Sequence, residues 1–368
     1  MNYYFDYNAT TPIHHEIKVK IPEWLEEFGN PSSLHSYGRS TSRHIATSRR
    51  SILDSLGLDE YHLVFTASGS EANHLALSFL YHRKIQEKDS ILISSIEHPC
   101  IEKQMDRLKS MGYKINRIPV SREGSVDLDY IKEHLDSSTI LCSVMAANNE
   151  TGVVQDVETI SSLCAEEDVY FHCDTTQIPG KFSMDYSRID ADSYTFSAHK
   201  IYGLKGIGAL AYRTKPEPMI TGGLQENELR AGTENILGIL GFEKAMNLVR
   251  DQTDKRLREM SKFQERIETE FKNLGIEIVG KGNRLSNTSC VLIPGRSNDE
   301  TLSYFDKNGI ALSKGAACHS GVWGPSPVLL SMGIPREKAE TGVRISTGWF
   351  TTDEEVDALL EVTKNYLK

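Results

Sequence analysis

The sequence predicts an α/β protein, with a large domain built on a mainly parallel seven-stranded sheet and a smaller α+β domain packed against it. Three observations carry that expectation. From Leu63 to Tyr212, strand-like runs alternate with stretches of helical length, the rhythm of a sheet with helices on both faces. Most of those strands hand over to a polar cluster at the carboxyl end, where chemistry in such sheets belongs. Beyond a long helical stretch, Ile236 to Asn273, the texture changes to short strands and helices.

In chain order, a short aromatic strand leads into the polar turn Asp6-Tyr7-Asn8-Ala9-Thr10-Thr11-Pro12. Residues Ile13 to Phe28 can be helical but carry Pro22, and Gly29-Asn30-Pro31-Ser32-Ser33 is a second turn. His35 and Arg39 follow, then an amphipathic helix from Ser42 to Leu56; a turn histidine such as His35 is ordinarily a surface polar group. The strand Leu63 to Thr66 runs through Ala67-Ser68-Gly69-Ser70-Glu71-Ala72-Asn73 into a helix from Glu71 to Arg83. The alternation continues with strands at Ile91 to Ser95, Tyr113 to Ile118, Thr139 to Met145, Val169 to Cys173, Ser193 to Phe196 and Gly208 to Tyr212. Helices lie between them at Cys100 to Met111, Asp127 to Leu135 and Val157 to Glu167. The glycine-rich stretch Met219 to Asn235 reads as a long functional loop, and the helix after it is expected to bend or break near Asp251. Strands at Ile276 to Val279 and Thr288 to Ile293, with helices at Asp299 to Lys307 and Asp353 to Tyr366, complete the small domain. The expected division is 14–255 for the large domain, with 1–13 and 256–368 forming the small one.

Composition narrows the function. A net charge of −10 and no basic run argue against nucleic acid and anionic membranes as partners, and no segment approaches membrane-spanning length. Six scattered cysteines without CxxC pairs suit a reducing cytoplasm better than a disulfide framework. No metal-ligand pattern stands out.

Ser197-Ala198-His199-Lys200 sets one lysine on a turn at a strand end, with Gly203, Gly206 and Gly208 behind it. Alone, such a lysine is ordinarily a surface cation. Its company changes the balance: Glu97-His98, Asn148-Asn149-Glu150 and Asp174-Thr175-Thr176-Gln177 follow other strands and share its rim. Gly69 and Ser70, at a helix N-terminus, are candidates to hold an anion, although an N-cap at Ser70 explains the same residues. Cys318 stands among small residues on a loop, where a thiol is seldom kept for packing.

Together these parts describe a site for pyridoxal 5′-phosphate. Lys200 would carry the cofactor as a Schiff base and, once released, move the substrate's Cα proton; Asp174 would keep the pyridinium nitrogen protonated. His98 would stack on the ring, Gln177 would reach its phenolic oxygen, and Gly69, Ser70, Ser197 and His199 would hold the phosphate.

The chain also resembles the group I cysteine desulfurases, within the class V aminotransferase superfamily of fold-type I pyridoxal phosphate enzymes, and their relative selenocysteine lyase. The resemblance rests on Asp6 to Pro12, Gly29 to Ser33, Glu97-His98, Asn148 to Gly152, His172-Cys173-Asp174, Ser197 to Lys200, Arg230-Ala231-Gly232-Thr233, Gly315-Ala316-Ala317-Cys318 and Val343-Arg344-Ile345-Ser346. It implies that Lys200 is the Schiff-base lysine and Cys318 the persulfide nucleophile. It also implies that Asn149 and Arg344 hold the substrate carboxylate and that Thr233 reaches the phosphate of the partner subunit in a homodimer. The expected reaction takes L-cysteine to L-alanine, with the sulfur passing to an acceptor protein; release of selenide from L-selenocysteine is the alternative. Three places depart from the usual pattern: Thr66 to Glu71, Trp349 where arginine is common, and Lys314 before Gly315.

Overall fold

The computed structural model describes residues 2–82, 88–315 and 324–368, so the expected nucleophile Cys318 lies outside the described residues. Twelve strands are described: β1 Tyr3–Tyr4, β2 His62–Thr66, β3 Ser90–Ser94, β4 Lys114–Ile118, β5 Thr139–Ser143, β6 Tyr170–Asp174, β7 Ser193–Ser197, β8 Gly208–Tyr212, β9 Glu277–Val279, β10 Thr288–Leu292, β11 Ile310–Ala311 and β12 Gly342–Ser346. Strands β2 to β8 form one seven-stranded sheet in the order β2-β8-β7-β6-β5-β3-β4. Strand β8 runs antiparallel to both of its neighbours, while the other pairs are parallel. Every residue of β3, β5, β7 and β8 is buried, as strands covered by helices on both faces should be.

The smaller part is the antiparallel sheet β12-β10-β9 with the helices Asn298–Lys307 and Asp353–Tyr366. The N-terminus joins it: β1 pairs with β11, Asp6 bridges to Ser346, and Phe5 is wholly buried in a cluster with Phe271, Phe305, Val343 and Leu359.

Several element boundaries differ from expectation for identifiable reasons. The helix Ile236–Asn273 runs 38 residues without a break at Asp251. From Phe242 onward it contains neither glycine nor proline, so nothing forces a kink. Residues 13–28 form two short helices, His15–Lys18 and Ile21–Trp24, with Pro22 in the first turn of the second, where its missing N–H costs nothing. The helix expected from Ser42 begins at Ser36, because His35 caps it by accepting from the Gly38 N–H at 3.2 Å. His35 is therefore a capping residue. The helix expected over Glu71 to Arg83 is instead Gly69–Ala76 followed by Phe79–His82, and its N-cap is Ser68 rather than Ser70.

The loop after β8 contains the most unusual backbone among the described residues. Glu226, Asn227 and Glu228 have φ of 49°, 56° and 68°, three successive left-handed residues without a glycine. Each such residue costs about 1 kcal/mol or more, so something must hold the turn. The Glu226 carboxylate does: it accepts from Arg49 Nη1 and Nη2 at 2.8 and 2.9 Å and from the Phe65 N–H at 2.8 Å. Arg49→Met would leave this carboxylate buried and uncompensated, and it is expected to lower unfolding stability by about 3 kcal/mol, with Arg49→Lys recovering part of the loss. Denaturant titration checks this, and an unchanged midpoint would show that the turn is held by other contacts.

Candidate active site

The carboxyl ends of the central strands converge on a cavity of about 170 Å³. Its walls include Gly69, Ser70, His98, Asn149, Asp174, Gln177, Ser197, His199, Lys200 and Arg344, which are all the expected site residues apart from Thr233 and Cys318. They come from five strand ends and from β12, so the topology assembles what the sequence scatters. Thr233 is exposed and borders a separate cavity with Thr66, Ala67, Gly206 and Asn235. A larger charged groove of about 610 Å³ lies elsewhere, along the helices 236–273 and 353–366, and holds the ion pairs Arg266–Asp357 and Lys364–Glu270.

Lys200 follows β7 on a single helical turn, and its Nζ donates to the carbonyls of Asn8 and Ala9 at 2.6 and 2.8 Å. Asp174 ends β6; its Oδ2 accepts from Asn73 Nδ2 at 2.7 Å and its Oδ1 from the Thr176 N–H at 2.9 Å. Gln177 is held at both ends of its amide, with Nε2 donating to the Asn8 carbonyl at 3.1 Å and Oε1 accepting from Lys181 Nζ at 2.5 Å. Lys181 is buried, and desolvation, reinforced by the charges of Lys200 and Arg344, pushes its amine well below the ordinary lysine value.

His98 caps the helix Pro99–Ser110 by accepting from the Cys100 N–H at 3.2 Å, and the Cys100 Sγ lies 3.0 Å from the same Nδ1. Burial, with the charge of Asp174, pushes the Cys100 thiol up to about 12, so it stays protonated. His199 is pushed down to about 3 by burial and then by Lys200, and is neutral; its Nδ1 lies 3.1 Å from Thr10 Oγ1.

Arg344 is 1 % exposed. Its Nη2 pairs with Asp6 at 2.6 Å and its Nη1 donates to the Asn149 carbonyl at 2.9 Å, while Nε has no partner among the described residues. Ser197 Oγ is likewise buried without a partner. Buried polar atoms left unpaired in this way are expensive unless a ligand pairs them.

These observations test whether pyridoxal phosphate suits the site. The orphaned Ser197 hydroxyl, the helix N-terminus at Gly69 and the neutral His199 make a donor-rich end for a phosphate. Asp174 offers a buried acceptor for a ring N–H, and Lys200 supplies the amine. The residues fit the group. The closest His/Cys/Asp/Glu group among the described residues, His14-His15-Glu16, is a helix cap in which His14 Nδ1 accepts from the Glu16 N–H and Glu16 pairs with Lys244.

Sequence reasoning missed Asn8, Asn73, Cys100 and Lys181. Asn8 stands in a matched turn to which the resemblance assigns no role, and Cys100 is one of six scattered cysteines with no pattern of its own.

Sheet order, strand-end lysine and buried aspartate define a class of protein: the chain belongs to the aminotransferase class-V family, whose sequence profile matches residues 3–359. Within that family, relatives named cysteine desulfurase match nearly the whole chain. The cysteine desulfurase IscS of Dictyoglomus turgidum is 35% identical over 371 residues, covering 99% of this chain and 94% of that one. A solved NifS-like protein superposes with a TM-score of 0.93 at 30% identity, covering 100% of this chain and 99% of its own. SspA, solved in complex with cysteine, superposes with a TM-score of 0.83 at 30% identity, over 95% of this chain and 100% of its own.

Next to the cavity, Glu97 accepts from Ser94 Oγ at 3.0 Å and from the Met145 N–H at 2.5 Å, and burial followed by the charge of Asp174 pushes its carboxyl up to about 8. The folded protein holds this proton up to about pH 8, whereas the unfolded chain releases it near the ordinary 4.5. Between those values the folded state binds more protons, so this group lowers stability as pH rises, by at most about 1.4 kcal/mol per pH unit. Glu97→Gln should remove that slope and stabilise the protein increasingly toward pH 8 relative to wild type. Thermal unfolding from pH 5 to 8 checks it, and parallel curves for the two proteins would refute it.

Proposed function

We propose that this chain binds pyridoxal 5′-phosphate and removes the sulfur of L-cysteine, leaving L-alanine and a persulfide on Cys318. The observation that carries this reading is the meeting of Lys200, Asp174 and Arg344 on one cavity at the strand ends. The names of the relatives favour cysteine over selenocysteine as the substrate.

Bound there, the cofactor supplies an electron sink for the pair left at the substrate's Cα. The remaining work falls to the chain. Asp174 accepts the hydrogen bond of the ring nitrogen, His98 covers the ring face, and Gln177, its Oε1 already taken by Lys181, presents Nε2 to the phenolic oxygen. Gly69, Ser70, Ser197 and His199 hold the phosphate. The substrate carboxylate is matched by Arg344, whose Nε needs a partner, together with Asn149. Lys200, resting against the Asn8 and Ala9 carbonyls, moves the Cα proton. Cys318 attacks the substrate sulfur as a thiolate: its S–S bond forms as the substrate's C–S bond breaks, and the released carbon skeleton takes up a proton to become alanine. The persulfide sulfur then passes to an acceptor protein.

We also propose a homodimer in which Thr233 serves the partner's phosphate, with 14–255 as the large domain and 1–13 with 256–368 as the small one. Supporting the homodimer, Val19, Leu25, Phe28, Leu34 and Leu224 are exposed large apolar side chains of the kind a partner subunit would cover. The cytoplasm is the proposed compartment. Supporting it, Cys100, Cys142, Cys164, Cys173 and Cys290 are free thiols, and Cys142 and Cys164 meet through a hydrogen bond rather than a disulfide. No helix among the described residues is long and apolar enough to cross a membrane.

Lys200→Ala should abolish alanine formation, and borohydride should fix cofactor to the Lys200 peptide of wild type and to no peptide of the variant. Cofactor fixed to another lysine would overturn the assignment. Cys318→Ala should eliminate alanine formation from cysteine and leave measurable turnover of selenocysteine, whose selenol is a better leaving group. A variant that turns over cysteine at the wild-type rate would make the thiol a bystander.

A further inference from the structure

A directional run of buried hydrogen bonds ends on Asp174. The Tyr170 hydroxyl donates to Ser193 Oγ at 3.0 Å, and Ser193 Oγ lies 2.8 Å from His172 Nδ1. His172 Nε2 lies 2.9 Å from Asn73 Oδ1, and Asn73 Nδ2 donates to Asp174 Oδ2 at 2.7 Å and to Cys100 Sγ at 3.3 Å. Asn73, His172 and Ser193 are all almost wholly buried, so water does not offer alternatives.

Chemistry fixes the direction of each bond. The nitrogen of the Asn73 amide must face the carboxylate and the thiol, so its oxygen faces His172, and His172 must carry its proton on Nε2. Nδ1 is then bare and accepts from the Ser193 hydroxyl, whose own oxygen takes the proton of Tyr170. Burial, outweighing the opposing pull of Asp174 and of the Ser193 backbone, pushes His172 down to about 4, which keeps the ring neutral. Were the amide reversed, its oxygen would stand 2.7 Å from a carboxylate oxygen with no hydrogen between them, a repulsive contact in a buried place.

We propose that Asn73 and His172 are positioning residues for Asp174: His172 sets the direction of the Asn73 amide, and the amide holds one oxygen of Asp174 so that the carboxylate faces the cavity only as an acceptor. The inference rests on the pyridoxal phosphate reading of the site and deepens it. An acceptor-only carboxylate is what a protonated ring nitrogen requires, since a protonated Asp174 would offer a hydrogen where one is already present. Outer partners of this kind commonly matter as much as the groups they hold.

The test combines a structural readout with cofactor binding. In cofactor-free wild type, ¹⁵N NMR should find His172 with its proton on Nε2 and a bare Nδ1 through the neutral pH range. Titration with pyridoxal 5′-phosphate should show Asn73→Leu and His172→Leu binding at least about tenfold more weakly than wild type, the loss expected when a buried acceptor goes unpaired. His172→Gln can donate to Asn73 and accept from Ser193 as the imidazole does, and should bind within about threefold of wild type. The pH at which the visible absorbance of bound cofactor changes should shift in both leucine variants and hold in His172→Gln, a pattern that mere loss of packing would not produce. A proton on Nδ1 in a wild type that binds the cofactor overturns the proposal alone, as do leucine variants that bind like wild type or a glutamine variant as impaired as leucine. A wild type with the Nε2 proton that binds no pyridoxal phosphate instead removes the cofactor reading, and the proposed role with it, while the hydrogen-bond run stands.

Discussion

Asn8 is 1 % exposed, and a buried asparagine has to find partners for its side chain and its backbone inside the protein. Its N–H donates to Ser346 Oγ at 3.0 Å, and its side chain joins Thr288 Oγ1, Asn287 Nδ2 and the Asn149 carbonyl. Its own carbonyl accepts from both Lys200 and Gln177. One residue of the N-terminal turn thus ties β10 and β12 of the small sheet to the ends of β5, β6 and β7 in the large one. The cavity exists where that knot closes. Gly348 is drawn into the same region, because a Cβ there would overlap the Tyr7 ring, at 2.0 Å from Cδ1.

The charge pattern follows from the same burial. Of the basic groups crowded here, His199 is neutral and Lys181 is pushed toward neutrality, partly by the charge of Lys200, while Arg344 is balanced on one side by Asp6. On the acidic side Glu97 holds its proton to about pH 8 beside Asp174. Desolvation has removed charges that would otherwise compete. An amino-acid carboxylate and a phosphate entering this cavity meet donors rather than repelling anions, apart from the one carboxylate whose bonds face a ring nitrogen in the proposed reading.

The sheet and most of its rim were legible because both depend on local patterns. Apolar runs of strand length fixed β2 to β8 to within a residue or two, and the strand-end rule brought His98, Asn149, Asp174, Gln177, Ser197 and Lys200 to one side. What stayed hidden depends on tertiary neighbours. Nothing in Glu71-Ala72-Asn73 announces that Asn73 will meet Asp174, 101 residues away in sequence. Cys100 carries no local signal, and its place on the cavity wall appears only once His98 caps the following helix. The helix 236–273 runs through Asp251 unbroken, and beyond it ion pairs such as Arg256–Glu259 and Lys255–Glu259 support the exposed face.

The loop from Met219 to Asn235 is the part of the chain that the proposed homodimer would use. Thr233 is exposed and does not reach the cavity of its own chain, yet the backbone leading to it is held with unusual force. Three left-handed residues are kept in place by the Arg49–Glu226 pair, and Arg230 Nε, four residues further on, pairs at 3.0 Å with Glu71 in the first turn of the helix Gly69–Ala76. Glu71 in turn accepts from the Ala67 N–H at 2.9 Å, so the loop is fastened to the turn that opens the proposed phosphate site. Strain of this order persists where the shape it enforces is used. Here the enforced shape leaves Gly232 and Thr233 exposed, the placement that the homodimer we propose calls for.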